Sequence, residues 1–277
     1  MIRVHKTSFR ASSKDIDRLY ECNRESARVW NTCLEHAKKH HKETGVWINQ
    51  TQLQKTLKNQ FRLHSQSVQS VSHRYLWARD SAYQARRKGE STRYPYRLKK
   101  YYPTRWVQDG FRILDNGKIL LSMGIWKGKR QKPIVVHVKG LPSTIDIKQI
   151  ELIYDGKLKL GIMYENGTEE PEQVQGQLAA IDMGEIHGVA ATTESGDAVV
   201  ITSRKLRSVQ RLRNKKYKEL NEKLSRSTPG SRRWKKLTRA KKRIGQKANN
   251  QKQDILHKTS RTFVNWAEEC LRYMLET

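Results

Sequence analysis

The sequence predicts a mixed α+β fold in which a small β-barrel or curled sheet accepts an inserted helical unit, and a second unit ends in a long basic helical hairpin. Three observations carry this expectation. Apolar residues recur at helical spacing between 14 and 88, strand-like runs separated by turn dipeptides fill 111–163, and from Arg204 onward the chain is again helical and densely basic.

Residues 2–10 alternate weakly and read as a strand. Ser12 or Ser13 can cap a long helix whose Ile16, Leu19, Tyr20, Ala27, Trp30, Leu34 and Ala37 fall on one side and which ends near Gly45. A second helix presents Leu53, Leu57 and Phe61, and a third presents Val68, Val71, Tyr75, Leu76 and Tyr83. From 91 to 106 two prolines, Pro95 and Pro103, forbid a continuous helix, so this stretch reads as an extended linker. Strands are expected at Phe111–Leu114, Lys118–Ser122 across an Asn116-Gly117 turn, Pro133–Val138, and Ile150–Tyr154 with Leu158–Met163 across Asp155-Gly156, a two-residue hairpin signal. The polar stretch Gly167–Gly176 reads as a linker. Beyond it, Leu178–Ile181 suits a buried central strand, and Val189–Thr193 with Ala198–Thr202 forms a hairpin. The expected domains are therefore 1–10 with 91–166 for the sheet unit, 11–90 for the helical unit, 167–177 for the linker and 178–277 for the second unit.

Charge narrows the function. Lys and Arg number 56 against 27 Asp and Glu, a formal charge of +29 over 277 residues, which implies a partner of dense negative charge. Polybasic membrane segments are short and sit beside an apolar anchor, whereas here basic residues recur along the whole chain, so nucleic acid is favoured over a membrane surface or an acidic protein. No apolar run is long enough to cross a bilayer and the N-terminus has no signal-peptide core, so a cytoplasmic, nucleoid-associated protein is expected. Cys22, Cys33 and Cys270 are scattered without a Cys-x-x-Cys pair, which reads as buried thiols and leaves no zinc ribbon.

Three constellations could carry chemistry. Between Arg204 and Lys247 there are 19 Lys and Arg against Glu219 and Glu222, interrupted once by Ser227-Thr228-Pro229-Gly230. Like charges on adjacent turns repel, and a phosphate backbone neutralises them. A solvated face is the ordinary reading of a charge run, but the imbalance favours phosphate contacts by Arg211, Lys215, Lys216, Arg232, Arg233, Lys235, Lys236, Lys241, Lys242 and Arg243, with Lys258 further on. Trp234 either stacks on a base or covers the core, with the core slightly favoured. The 94–106 stretch interleaves Tyr94, Tyr96, Tyr101, Tyr102 and Trp106 as stacking planes with Arg97, Lys99, Lys100 and Arg105 for phosphates; each aromatic, taken singly, suits a core equally well. Asp182, in Ile181-Asp182-Met183-Gly184, sits at the end of an expected buried strand, where a two-metal phosphodiesterase fixes a divalent ion, although a turn aspartate is the commoner meaning.

Taken together the chain resembles the TnpB family, the compact RNA-guided nucleases of insertion sequences. The resemblance rests on Tyr94-Pro95-Tyr96-Arg97, the stretch from Asn116 to Gly124, Ile181-Asp182-Met183-Gly184, Pro229-Gly230-Ser231, and Asn250 with Asp254-Ile255-Leu256-His257-Lys258. It implies a β-barrel wedge domain with an inserted helical recognition domain, then an RNase H-like RuvC domain. It also implies a guide RNA, a double-stranded DNA target and a short flanking motif read by the protein. A family nuclease uses the aspartate matching Asp182, a later glutamate and a final aspartate beyond a zinc ribbon. This chain stops where the later strand should begin, and Glu268, Glu269 and Glu276 fall on a helix or tail. Two metal ions about 3.5 to 4 Å apart need several carboxylates. The expectation is thus a truncated RuvC-like domain in which Asp182 is vestigial, in a nuclease-deficient, RNA-guided DNA-binding protein similar to the TldR repressors. Two rivals stand beside it: a nuclease completed in trans, with magnesium then required, and a decayed transposon product that binds RNA. The strand at 178–183 would have an open edge needing cover from the long helices, RNA or a second copy, the last of which would make a homodimer.

Overall fold

The structure is a computed structural model that describes residues 2–114, 117–139, 146–167 and 178–273. Most of the expected linker, Asn116 of the expected turn and Glu276 lie outside the described residues. The chain folds as two compact units, Met1–Glu170 and Pro171–Thr277.

In the first unit β1 (Ile2–Thr7) leads into α1 (Ser13–Thr44), α2 (Gln50–Leu57) and α3 (Ser65–Arg87). Capping chemistry sets these boundaries. Ser12 is extended and its side chain accepts from Asp15 N at 3.1 Å, while Asp15 places a carboxylate in the first turn, where the helix dipole favours it. At the other end Gly45 turns left-handed, φ 71°, and donates to His41 O. Asn49 and Gln52 cap α2 reciprocally, at 2.9 and 3.1 Å.

The strands β2 (Thr104–Val107), β3 (Phe111–Ile113), β4 (Lys118–Leu121), β5 (Ile125–Trp126), β6 (Lys129–Arg130), β7 (Ile134–His137), β8 (Asp146–Tyr154) and β9 (Leu158–Glu165) complete the unit. They form an antiparallel sheet β1-β9-β8-β2, a second sheet β3-β4-β7 and the small hairpin β5-β6, with Arg10 bridging to His137. Among the described residues no barrel closes, because β1 and β2 remain free edges of the first sheet. The expected barrel is thus corrected to open sheets. The hairpin at Asp155-Gly156 is also longer than its dipeptide suggests: Tyr154 pairs with Leu158, which leaves a three-residue turn with Gly156 at φ 96°.

One core serves helices and sheets together. Leu19, Trp30 and Leu34 of α1, Leu53 of α2, and Val71 and Tyr75 of α3 belong to the same buried cluster as Ile119, Leu121, Ile134, Ile150, Leu152, Leu160 and Ile162. The helices therefore cover the sheets and share their core. Trp106, expected among the stacking planes, lies at the centre of this cluster. It is 1% exposed, and its Nε1 donates to Ser122 O at 2.8 Å. Alternation along β2 points Trp106 inward, and its ring is unavailable to a base.

The second unit comprises β10 (Ala179–Asp182), β11 (His187–Thr193), β12 (Ala198–Thr202), α4 (Arg204–Ser225) and α5 (Arg232–Tyr273). Its sheet is antiparallel in the order β10-β11-β12. The apolar run at 178–181 is not central and buried: β10 is an edge strand paired to β11, with Leu178 73% and Ile181 51% exposed. Among the described residues β10 pairs with β11 alone, which makes it an edge of the sheet. Among the described residues no helix is long and apolar enough to cross a membrane.

Two expected outcomes follow. Trp106→Ala removes a fully enclosed ring and should cost about 3–5 kcal/mol in denaturant-induced unfolding. Burial pushes the Cys22 and Cys33 thiols up to about 12, so a thiol-reactive dye at pH 8 should leave both unmodified in the native chain and label them on unfolding.

Candidate nucleic-acid interface

The basic hairpin is held by a narrow seam. On α4 the half-buried positions Leu206, Gln210, Arg213, Tyr217, Leu220 and Leu224 recur at alternating steps of four and three, and on α5 Trp234, Leu237, Lys241, Ile244 and Ala248 do the same. That is the heptad spacing of paired helices. At Gly245 an added Cβ would lie 2.2 Å from the Tyr217 hydroxyl, so glycine lets the ring cross the seam. Arg213 and Lys241 lie over that ring at 5.8 and 5.3 Å, and Lys241 Nζ donates to Asn221 Oδ1 at 2.7 Å. Lys241 therefore serves the seam, as does the half-buried Trp234.

Arg211, Lys215, Lys216, Arg232, Arg233, Lys235, Lys236, Lys242 and Arg243 are exposed. A seam only two residues wide per heptad leaves the rest of each helix surface to cations, on turns about 5.4 Å apart. Lys258 is also exposed but is paired with Asp254 at 2.9 Å, one turn earlier, and this hydrogen bond holds the Asp254 carboxyl below its usual range.

The stretch following α3 is strapped to α1 rather than free. Asn31 donates from Nδ2 to Lys99 O at 3.0 Å and accepts from Lys99 N at 2.8 Å, imitating a strand partner. Eight residues earlier, buried Asn23 accepts from Tyr102 N through its carbonyl at 3.0 Å and from Thr104 Oγ1 through Oδ1 at 2.9 Å, while Ser26 Oγ closes on the same threonine at 2.8 Å. Along this stretch the aromatics divide. Tyr94 packs on Trp47 at 4.9 Å under Arg86, Tyr101 packs on Tyr154 at 5.6 Å, and Tyr102 packs on Trp30 at 4.8 Å. Lys99 Nζ lies 5.5 Å over Trp30. Tyr96, Arg97 and Lys100 face solvent, Arg97 lying over the Tyr96 ring at 5.6 Å. The hydrogen bond from Arg97 lowers the Tyr96 hydroxyl from its ordinary value. Arg105 is engaged by Glu151 at 3.1 Å.

Spacing did not reveal a concave patch of about 670 Å³ lined by Gln69, His73, Arg74 and Trp77 of α3 with Arg105 and Gln149 of the adjoining strands. Its signal in the sequence is Trp77, an aromatic set off the apolar stripe of Val71 and Tyr75.

Asp182 is exposed at the end of β10, opposite Ala190, and is not at the end of a buried strand. Nearby Glu185 is held by Arg207 at 3.3 Å. Among the described residues no group of three or more His, Cys, Asp or Glu is placed to hold a metal ion.

Residues 161–271 match the family OrfB_IS605, described as "Probable transposase". The overall fold is similar to a Cas12f1 protein solved by cryo-EM with sgRNA and target DNA: the TM-score is 0.66 at 11% identity, covering 94% of this chain and 64% of that one. The chain thus spans less than two thirds of that relative's length. A second cryo-EM structure, a CRISPR-Cas12f ternary complex, aligns at 12% identity over 84% of this chain and 58% of that one with a TM-score of 0.41. No curated protein matches. At 11% identity the likeness to the Cas12f1 structure is one of fold.

Asn31→Ala should release Lys99 from α1. The expected loss is about 1–3 kcal/mol, together with faster hydrogen exchange at the Lys99 amide; an unchanged exchange rate would show that the strap does not hold that segment.

Proposed function

We propose that this chain is an RNA-guided DNA-binding protein that holds a guide RNA and a matched DNA target beside a short flanking motif. The observation that carries the reading is the α4–α5 hairpin, whose apolar seam is narrow and whose remaining surface displays lysine and arginine on both arms. Such a surface suits a phosphate backbone. The strapped segment adds Tyr96, Arg97 and Lys100 as an exposed stacking and phosphate-contacting group. The resemblance to TnpB proteins and the complex in which the Cas12f1 relative was solved support RNA and DNA as the partners.

In its finer form the proposal is binding without cleavage, with repression following from occupancy of a promoter. Asp182 stands exposed, and the neighbouring Glu185 carboxylate is already engaged by Arg207. Fixing two divalent ions would need further carboxylates brought to Asp182. One observation favours a second reading: among the described residues β10 pairs with β11 alone, and its other edge can accept a strand, so a nuclease site completed by another polypeptide or a second copy is the rival.

Three measurements test this. RNA copurifying with the chain should be one dominant species with a defined end; a diffuse pool would leave nonspecific RNA binding. Given that RNA and Mg²⁺, the chain should retain a matched duplex intact, whereas efficient cutting that Asp182→Ala abolishes would establish the nuclease. Reversing Lys215, Lys216, Lys235 and Lys236 to glutamate should weaken binding alike across sequences and flatten the slope of log K against log salt by about 0.9 for each duplex phosphate no longer neutralised.

A further inference from the structure

Glu151 lies in the middle of β8 between fully buried Ile150 and Leu152, so strand alternation directs it to the outer face of the four-stranded sheet. There its Oε1 accepts from Arg74 Nη1 of α3 at 2.8 Å and from Arg105 Nε of β2 at 3.1 Å. One carboxylate thus holds two guanidinium groups, all three side chains being no more than 31% exposed. The trio keeps one net positive charge.

The way Arg105 is held matters. Glu151 takes its Nε edge, and among the described residues no hydrogen bond reaches its two terminal Nη groups. Arg74 is steadied from another side by the Tyr102 ring, 5.9 Å away. Both arginines line the concave patch, and Trp77, one turn beyond Arg74 on α3, lines it too with three quarters of its surface in solvent. A tryptophan so placed contributes little to the core, yet it offers a flat face beside two fixed cations.

We propose that Arg74, Arg105 and Trp77 form a nucleotide clamp: the guanidiniums take a backbone phosphate, the indole stacks on an adjacent unstacked base, and Glu151 is the positioning residue that aims the guanidiniums. This rests on the nucleic-acid-binding reading above and adds a binding point within the first unit. Arginine suits the role because its planar fork meets phosphate oxygens in pairs, and a preset fork loses less freedom on binding. Stacking on an aromatic face tolerates any base but requires that base to leave its neighbours. A single strand therefore fits the clamp better than a duplex does.

If Glu151 merely offsets charge, it competes with phosphate, and Glu151→Gln, which adds one positive charge, tightens binding. If Glu151 aims the arginines, the same substitution weakens binding despite the added charge. The full chain, freed of RNA at high salt, would be titrated by fluorescence anisotropy into a labelled oligo-dT strand and a labelled duplex. Glu151→Gln is expected to bind the single strand several-fold more weakly, with Glu151→Asp recovering part of the loss. Trp77→Ala, exposed enough to spare folding, is expected to lose about tenfold on the single strand and markedly less on the duplex. Equal or tighter single-strand binding by Glu151→Gln in a chain with an unchanged melting curve overturns the clamp alone, as does a Trp77→Ala variant with wild-type affinity. A wild-type chain that binds neither probe overturns the nucleic-acid reading and the clamp with it.

Discussion

The structure is organised by one electrostatic constraint: a chain carrying 29 excess positive charges must form apolar contacts without burying those charges. Desolvating an unpaired ammonium or guanidinium costs far more than a methylene contributes. Two junctions show how this is met. Where α4 meets α5, a seam of leucines with Tyr217, Trp234 and Ile244 carries the pairing, and two inward-lying cations lie over the Tyr217 ring. Where α3 meets the sheet, Glu151 pairs with both arginines at the junction.

The same constraint explains what the sequence made legible. Long periodic elements are over-determined: α1 is readable from its apolar stripe, its serine cap and Gly45, and the strand Ala198–Thr202 from its β-branched run and flanking turn. The basic hairpin is equally plain, since charge imbalance and a single Pro-Gly break leave no other partition. These features are local, and local chemistry decides them.

What escaped depends on partners distant in sequence. Four apolar residues at 178–181 look the same whether neighbouring strands cover them or solvent does, and among the described residues β10 has a single neighbour in its sheet. Trp106 sits in a stretch of tyrosines and arginines that suggests a sticky surface, but its place is fixed by Ser122 sixteen residues away and by α1 and α3 packing over the sheet. The strap across α1 is hidden for the same reason: Asn23 and Asn31 are polar residues on a helix, and their carbonyl, amide and threonine partners lie about 70 to 80 residues further along. Glu151 reads in the sequence as an ordinary outward strand residue, and Arg74 as an ordinary helix cation. Only the fold makes them a pair.

The heptad seam has a mechanical consequence. Two helices locked along a common stripe resist bending as a unit, and at 1.5 Å per residue the 22 residues of α4 make a rod about 33 Å long. One full turn of a B-form duplex rises by about 34–36 Å. A ruler of that length, studded with cations on its outer surface, falls just short of one helical repeat of a duplex before the chain turns back at Pro229 and Gly230.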